Sequence, residues 1–199
     1  LPVDEPVNAE QPAHRTRYEA SGVAALITPW NWPLNQIALK LAGALIAGCS
    51  LVIKPSELTP GMTRLLEDCV KHTSIPEGAL HFLIGDGETG RALVNHPDID
   101  IVSFTGSTPV GREIARAAAG HFKRVVLELG GKSPNLLFAD CNLEIAMTQG
   151  LAHCFRNAGQ SCNAAARMLV ERSIYEQAVA LAGCMARSTR VDYPDREGG

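Results

Sequence analysis

The sequence predicts an α/β protein: a doubly wound, Rossmann-like parallel sheet of five strands, followed by the start of a second α/β unit. Short apolar runs rich in Val, Ile, Leu and Phe alternate with longer segments of helical period, which is the pattern of strand-helix-strand units. At 199 residues, with 46% hydrophobic and 20% charged residues, the chain has the composition of a folded protein with a buried core.

The elements of the sheet follow in order along the chain. The apolar runs predict strands at 22–27, 50–54, 80–84, 101–104 and 125–129. The segments of helical period between them predict helices at 34–47, 61–72, 88–95 and 109–119. Because parallel strands are joined by right-handed crossover helices, this order predicts that the functional loops follow the C-terminal ends of the strands.

The pattern changes at the two glycines that end this region, and we divide the chain there. Residues 1–17 are polar, contain three prolines and are predicted to be an extended leader, and residues 18–130 a dinucleotide-binding domain. Residues 131–199 are predicted to be the incomplete start of a second α/β domain, with strands at 135–138 and 167–170 and helices at 143–156 and 174–188. The chain starts without Met and stops on two glycines, which predicts a fragment of a longer protein.

The charge and cysteine patterns exclude several classes of protein. A formal net charge of -3 without a run of Lys or Arg predicts neither nucleic-acid nor membrane-surface binding. The longest apolar stretch, 37–53, is interrupted by Lys40 and is too short to span a bilayer. Six cysteines are scattered without CxxC pairs, which predicts reduced thiols in the cytoplasm and no metal site.

Two glycine-containing turns are candidates for binding phosphate. Gly85, Gly87 and Gly90 form GxGxxG between a predicted strand and a helix, but the acidic residue expected about 20 residues later is missing, so a phosphate cradle and a capped turn stay equally open. The segment 104–108 ends a strand and precedes Pro109, which predicts a helix N-terminus that can bind an anion or is simply capped.

Four other segments carry polar residues at or just after the ends of predicted strands or helices. Lys54 and Glu57 after the second strand can bind a ribose or form a surface ion pair. Asn31, held between two prolines, can donate to an oxyanion or bond to the backbone. Glu128 is a general base or a surface carboxylate, and Cys162 is a nucleophile or a structural cysteine.

Together and in this order, the motifs closely resemble the aldehyde dehydrogenase superfamily, over about 18–179. LELGGKSP at 127–134 is similar to the glutamate signature of the family, and FRNAGQSCNAAAR at 155–167 to its cysteine signature. PWNWP, KPSELTP and FTGST occur where the other motifs of the family occur.

The resemblance implies a dinucleotide site, and the Glu57 carboxylate, which would repel a 2′-phosphate, favours NAD over NADP. Glu57 would bind the adenosine ribose with Lys54 beside it, the turn 104–108 would lie near the pyrophosphate and Val110 near the adenine. The implied cofactor residues are Ile27, Thr28, Pro29, Trp30, Lys54, Ser56, Glu57, Gly87, Gly90, Phe104, Thr105, Gly106, Ser107, Val110, Leu129 and Gly130.

The resemblance also implies the chemistry. Cys162 would attack an aldehyde, Asn31 and the Cys162 backbone N–H would bind the oxyanion, and Glu128 would activate the water that hydrolyses the thioester to a carboxylic acid. The residues 131–199 would then begin the catalytic domain. The partners implied are a small aldehyde and, in the complete protein, further copies of itself. Two alternatives stay open: a truncated, non-catalytic nucleotide-binding product, and a relative that transfers the acyl group to coenzyme A.

Overall fold

The computed structural model describes residues 4–7 and 13–193. The remaining residues of the predicted leader, 1–3 and 8–12, and the end of the chain, 194–199, lie outside the described residues. Its strands are β1 Asp4–Pro6, β2 Arg15–Arg17, β3 Val23–Ile27, β4 Ser50–Lys54, β5 Leu80–Phe82, β6 Ile101–Gly106, β7 Arg124–Leu129, β8 Pro134–Leu137 and β9 Arg167–Val170. Its α-helices are α1 Pro33–Ile46, α2 Pro60–Lys71, α3 Gly87–Asn95, α4 Thr108–Ala119, α5 Leu143–Phe155 and α6 Tyr175–Ser188.

Five parallel strands form the main sheet in the order β5-β4-β3-β6-β7. The chain builds outward from β3 in one direction, then returns to add β6 and β7 on the other side, which confirms the predicted doubly wound sheet. The point where the order reverses lies between β3 and β6. In sheets of this kind, the crevice outside the carboxyl ends of those two strands is where ligands bind.

The two faces of this sheet carry separate apolar cores. Alternate side chains of β3 point to opposite faces: Ala25 and Ile27 join one core with residues of α3, α4 and β6, while Ala24 and Leu26 join the other with residues of α1 and β4. Strands covered on both faces need apolar residues at nearly every position. This is why the continuous apolar runs in the sequence located the five strands.

The chain divides into two compact units, 1–129 and 130–199. In the first unit, β1 and β2 pair antiparallel, with Arg15 Nε 2.7 Å from Asp4 Oδ1. In the second unit, β8 and β9 pair in parallel and α5 and α6 cover one face of the pair around the buried Leu137, Met147 and Ala178. No helix among residues 4–7 and 13–193 combines the length and apolar character needed to cross a membrane.

Most predicted boundaries shift by one or two residues, and three of these shifts have a direct structural reason. Strand β6 continues to Gly106 because its partner β7 pairs with it as far as Leu129. Strand β5 ends at Phe82, since β4 extends only one residue beyond the position paired with Phe82. Helix α5 ends at Phe155, where a single 3₁₀ turn, 156–159, replaces its last predicted residue.

Candidate functional site

A pocket of about 710 Å³ opens in the first unit at the point where the strand order reverses. Three of its walls are the carboxyl ends of β3, β4 and β6 with the residues that follow them, and the others are residues of α3 and α4. The lining residues are Ile27, Thr28, Pro29, Trp30, Lys54, Ser56, Glu57, Asp86, Gly87, Gly90, Arg91, Val94, Asn95, Phe104, Thr105, Gly106, Ser107, Val110, Glu113, Ile114 and Ala117.

Most of the residues predicted to bind a cofactor meet in this pocket. Every predicted residue from Ile27 to Val110 is part of its lining. Leu129 and Gly130 are not part of that lining. The Leu129 side chain turns towards α4 instead, where its Cδ2 would lie 2.6 Å from a Cβ at Gly111.

Several lining residues were missed in the sequence, although a signal for them exists. They lie on α3 and α4 one helical turn from residues that were predicted: Arg91 and Val94 follow Gly87 and Gly90, and Glu113 follows Val110. Positions three or four apart share a helix face. The residues one helical turn after each predicted contact could therefore have been predicted to line the pocket as well.

Lys54 places a buried cation in the pocket wall. It is the last residue of β4 and only 5% exposed, and its Nζ donates to the Pro55 carbonyl at 3.2 Å. The same Nζ lies 3.5 Å from Glu57 Oε2, whose side chain is half exposed. An ammonium has three donors, so this arrangement leaves Lys54 able to donate to a ligand beside the Glu57 carboxylate.

Helices α3 and α4 begin differently on the pocket wall. At α3, the Asp86 carboxylate accepts from the backbone N–H of Glu88 at 3.0 Å and of Thr89 at 3.3 Å, and these bonds lower its pKa below the ordinary value. The glycines of GxGxxG therefore precede and begin a helix that is already capped. The structure favours the capped-turn interpretation for this motif.

The N-terminus of α4 has no such cap. Ser107 occupies the N-cap position without a side-chain capping bond, and Pro109 in the first turn has no N–H. The backbone N–H groups of Thr108 and Val110, in the first turn of α4, therefore have no capping side chain. Free amides and the helix dipole together make such an end attractive to an anion.

Two buried hydroxyls also line the pocket. Thr28, directly after β3, and Thr105, near the end of β6, are 4% and 5% exposed. Within the described residues, neither hydroxyl oxygen has a hydrogen-bond partner. Leaving a buried polar group unsatisfied costs about 1–3 kcal/mol. Both positions therefore suit a ligand that brings polar atoms.

The predicted base and oxyanion donor also belong to the first unit. Asn31 lies in the turn between β3 and α1, and Glu128 lies on β7 in register with Thr105 of β6. Lys40 on α1 donates from Nζ to Ser103 Oγ at 2.8 Å. Partial burial lowers the pKa of Lys40, and the charge of Glu128 opposes that shift, so the two charges interact.

Cys162 lies in the second unit, in the loop between the 3₁₀ turn 156–159 and β9. Asn157, Ala158 and Gly159 carry φ values of 55°, 55° and 73°, and this left-handed run turns the chain out of α5. The thiol is partly exposed, as are those of two other cysteines in this unit, so exposure alone does not single it out.

The comparisons with known proteins agree with this architecture. The model of the aldehyde dehydrogenase family matches residues 4–198. The 3-succinoylsemialdehyde-pyridine dehydrogenase of Pseudomonas sp is 50% identical over 165 residues, 82% of this chain and 35% of that protein. Human retinal dehydrogenase 2 is 47% identical over 82% of this chain and 32% of its own length. The chain thus spans about a third of the length of these curated relatives.

Solved structures match over nearly the whole chain. The crystal structure of an aldehyde dehydrogenase from Bartonella henselae superposes with a TM-score of 0.93 at 44% identity, covering 100% of this chain and 42% of that one. A mutant of aldehyde dehydrogenase C from Pseudomonas syringae, in complex with NAD+ and octanal, gives 0.89 at 45% identity over 92% of this chain and 38% of its own. With its doubly wound sheet, its motifs and these matches, the chain belongs to the aldehyde dehydrogenase family.

Proposed function

We propose that the protein containing this chain oxidises an aldehyde to a carboxylic acid with NAD, through a thioester on Cys162. The observation that carries the proposal is the pocket at the reversal point of the sheet, which joins an uncapped helix N-terminus, a buried cation and a half-exposed carboxylate. Relatives with this fold have been solved in complex with NAD+.

The described residues of the pocket fit a dinucleotide. The amides at the start of α4 would bind the pyrophosphate, and Glu57 and Lys54 would bind the adenosine ribose. The unsatisfied hydroxyls of Thr28 and Thr105 would gain polar partners. Glu57 would repel the 2′-phosphate of NADP, so we propose NAD as the cofactor. When bound, NAD supplies the acceptor for the hydride that leaves the substrate carbon.

The remaining roles follow from the chemistry of the side chains. Cys162 Sγ would attack the aldehyde carbon, and the Asn31 amide and the Cys162 N–H would stabilise the negative oxygen that forms. Glu128 would take a proton from the water that hydrolyses the thioester. In this proposal, residues 18–130 bind the dinucleotide and residues 131–199 begin the catalytic domain.

The experiment that tests the proposal separates binding from chemistry. In the complete protein, Cys162→Ser should abolish aldehyde-dependent NADH formation and leave NAD binding, measured by calorimetry, unchanged. Asn31→Ala should lower turnover about 10²–10³-fold, the usual effect of losing one oxyanion donor. Aldehyde oxidation by Cys162→Ser at the wild-type rate would contradict the proposal.

The fate of the thioester distinguishes hydrolysis from transfer to coenzyme A. Glu128 is exposed on β7, so solvent water can reach its carboxylate, which favours a base that works on water. Glu128→Gln should therefore accumulate an acylated Cys162 that mass spectrometry detects. Turnover that depends on coenzyme A would contradict the hydrolytic reaction.

We also propose a cytoplasmic location and self-association of the complete protein. The location is supported by the cysteines, all of which are free in the described structure. Cell fractionation tests the location, and sedimentation of the complete protein tests the self-association.

A further inference from the structure

We propose that Gly131 is a positioning residue that seats the peptide of Cys162. This inference rests on the function proposed above, since it concerns the same nucleophile. The Gly131 Cα lies so close to the Cys162 carbonyl that a Cβ added there would be 2.9 Å from the carbonyl oxygen. The opposing atom belongs to the backbone, so no side-chain rotation can relieve that contact.

The requirement for glycine at 131 is steric. Among the glycines of the described residues, Gly22, Gly48, Gly78 and Gly159 have a left-handed φ, and Gly131 does not. Backbone conformation therefore does not require glycine at 131. The neighbouring Gly130 has nothing within 4 Å of the corresponding position. Of the two adjacent glycines, only Gly131 is therefore required by contact with the nucleophile loop, which we define as residues 160–166.

The segment that follows Gly131 is tied to the residue that follows the nucleophile loop, which restricts movement of the loop away from Gly131. Arg167 N donates to the Ser133 carbonyl at 3.3 Å, and Arg167 Nε donates to the Lys132 carbonyl at 2.9 Å. The pairing of β8 with β9 begins at the same place, with Pro134 opposite Arg167. The segment next to Gly131 is thus fixed to Arg167, the residue that directly follows the nucleophile loop.

The interior of the nucleophile loop is held as well. Ala164 is 6% exposed, and its N–H donates to the Ser161 carbonyl at 3.1 Å. The N–H of Ala166 donates to the Ala164 carbonyl at 2.7 Å. A methyl group at 131 would therefore displace the Cys162 peptide itself, because residues 164–167, which follow it, are held by burial and by hydrogen bonds.

That displacement would act directly on the chemistry. The peptide that touches Gly131 follows the α-carbon that carries the thiol, and the N–H of Cys162 is the proposed oxyanion donor. Small misplacements of reacting groups reduce rates by up to about 10²-fold. The geometry thus makes Gly131 a determinant of nucleophile alignment, without contact between its own atoms and substrate.

The test compares Gly131→Ala with Gly183→Ala in the complete protein. At Gly183 on α6, an added Cβ meets only the end of the Arg187 side chain at 3.4 Å, so this variant controls for a new methyl group in the same unit. With propanal, we expect Gly131→Ala to lower the single-turnover rate of NADH formation about 10- to 100-fold. The Gly183→Ala variant should keep the wild-type rate.

Two further measurements separate alignment from general loosening. The Kd for NAD should stay unchanged in Gly131→Ala, and so should the rates at which iodoacetamide labels Cys141 and Cys154, the other partly exposed thiols of this unit. Faster labelling of those two thiols in step with the lost rate would overturn the proposal, because it would indicate partial unfolding.

A second variant keeps the test informative if Gly131→Ala does not fold. Arg167→Lys keeps the charge and the backbone but loses the Nε donor to Lys132, and it should lower the single-turnover rate in the same direction by a smaller factor. If Cys162→Ser is inactive but the folded Gly131→Ala and Arg167→Lys variants keep the wild-type single-turnover rate, the proposed role of Gly131 is overturned. Activity in Cys162→Ser would instead overturn the proposed function.

Discussion

Helices α3 and α4 start on the same pocket, but only α3 caps itself. The Asp86 carboxylate accepts from the amides of Glu88 and Thr89 at the start of α3. At the start of α4, Ser107 leaves the amides of Thr108 and Val110 without a capping side chain. A helix end with its own carboxylate has both its donors and its dipole satisfied, whereas an open end can bind an anion.

The difference shows why glycine spacing alone does not locate a phosphate site. Gly87 and Gly90 match the expected motif but lie in the first turns of the self-capped helix. Gly106 precedes the open helix, in a segment that matches no glycine-rich pattern. The occupancy of the amides decides which helix is suited to a phosphate, so changing that occupancy should change binding.

The largest expected effect comes from giving α4 the cap that α3 has. Ser107→Asp would place a carboxylate at the N-cap, where it can accept from the first-turn amides and repel a pyrophosphate. We expect NAD affinity to fall about 10- to 100-fold, the loss of one hydrogen bond to a charged group. Calorimetry measures the affinity. The melting temperature of the variant should be no lower than that of wild type, because the added cap stabilises α4.

Ser107→Asn is the matched control for that variant. It can cap the helix without adding charge, so its loss of affinity should be smaller. Equal NAD affinity in wild type and Ser107→Asp would mean that α4 does not bind the pyrophosphate.

Gly106, which precedes α4, and Gly90, in the first turn of α3, should respond differently to alanine. A Cβ at Gly106 would lie 2.4 Å from Phe104 Cζ, in a ring that is 6% exposed. We expect Gly106→Ala to lower the free energy of unfolding by about 1–3 kcal/mol, as overpacking does. A Cβ at Gly90 meets Lys54 Cδ at an ordinary 3.5 Å. Denaturant unfolding should show no loss for Gly90→Ala, and a larger loss there than at Gly106 would contradict the comparison.

The smallest effect is expected from removing the cap of α3. Bonds from the Thr89 and Glu88 amides hold the pKa of Asp86 below its ordinary value. Its carboxylate therefore stabilises the fold above the unfolded-state pKa, and that contribution is lost as pH falls through the lower folded-state value. Asp86→Ala should lower the melting temperature near neutral pH, and the difference from wild type should shrink at acidic pH. A difference that grows on acidification would contradict this account of the cap.

Much of this architecture could be predicted from the sequence, because buried parallel strands need continuous apolar runs. The prediction for 50–54 matches β4 residue for residue, as does that for 167–170 and β9. The choice between the two phosphate candidates stayed open, since it depends on whether the Asp86 side chain turns back onto its own helix. The unsatisfied hydroxyls of Thr28 and Thr105 could not be predicted either, because they result from how neighbouring strands pack.

In the proposed function, the open end of α4, rather than the capped end of α3, binds the pyrophosphate of NAD. An NMR titration of the 199-residue chain with NAD, following assigned backbone amides, tests it directly. We expect the amide signals of Thr108 and Val110 to shift strongly as NAD is added and those of Glu88 and Thr89 to move little. Larger shifts at Glu88 and Thr89, or no shift at either helix, would contradict it.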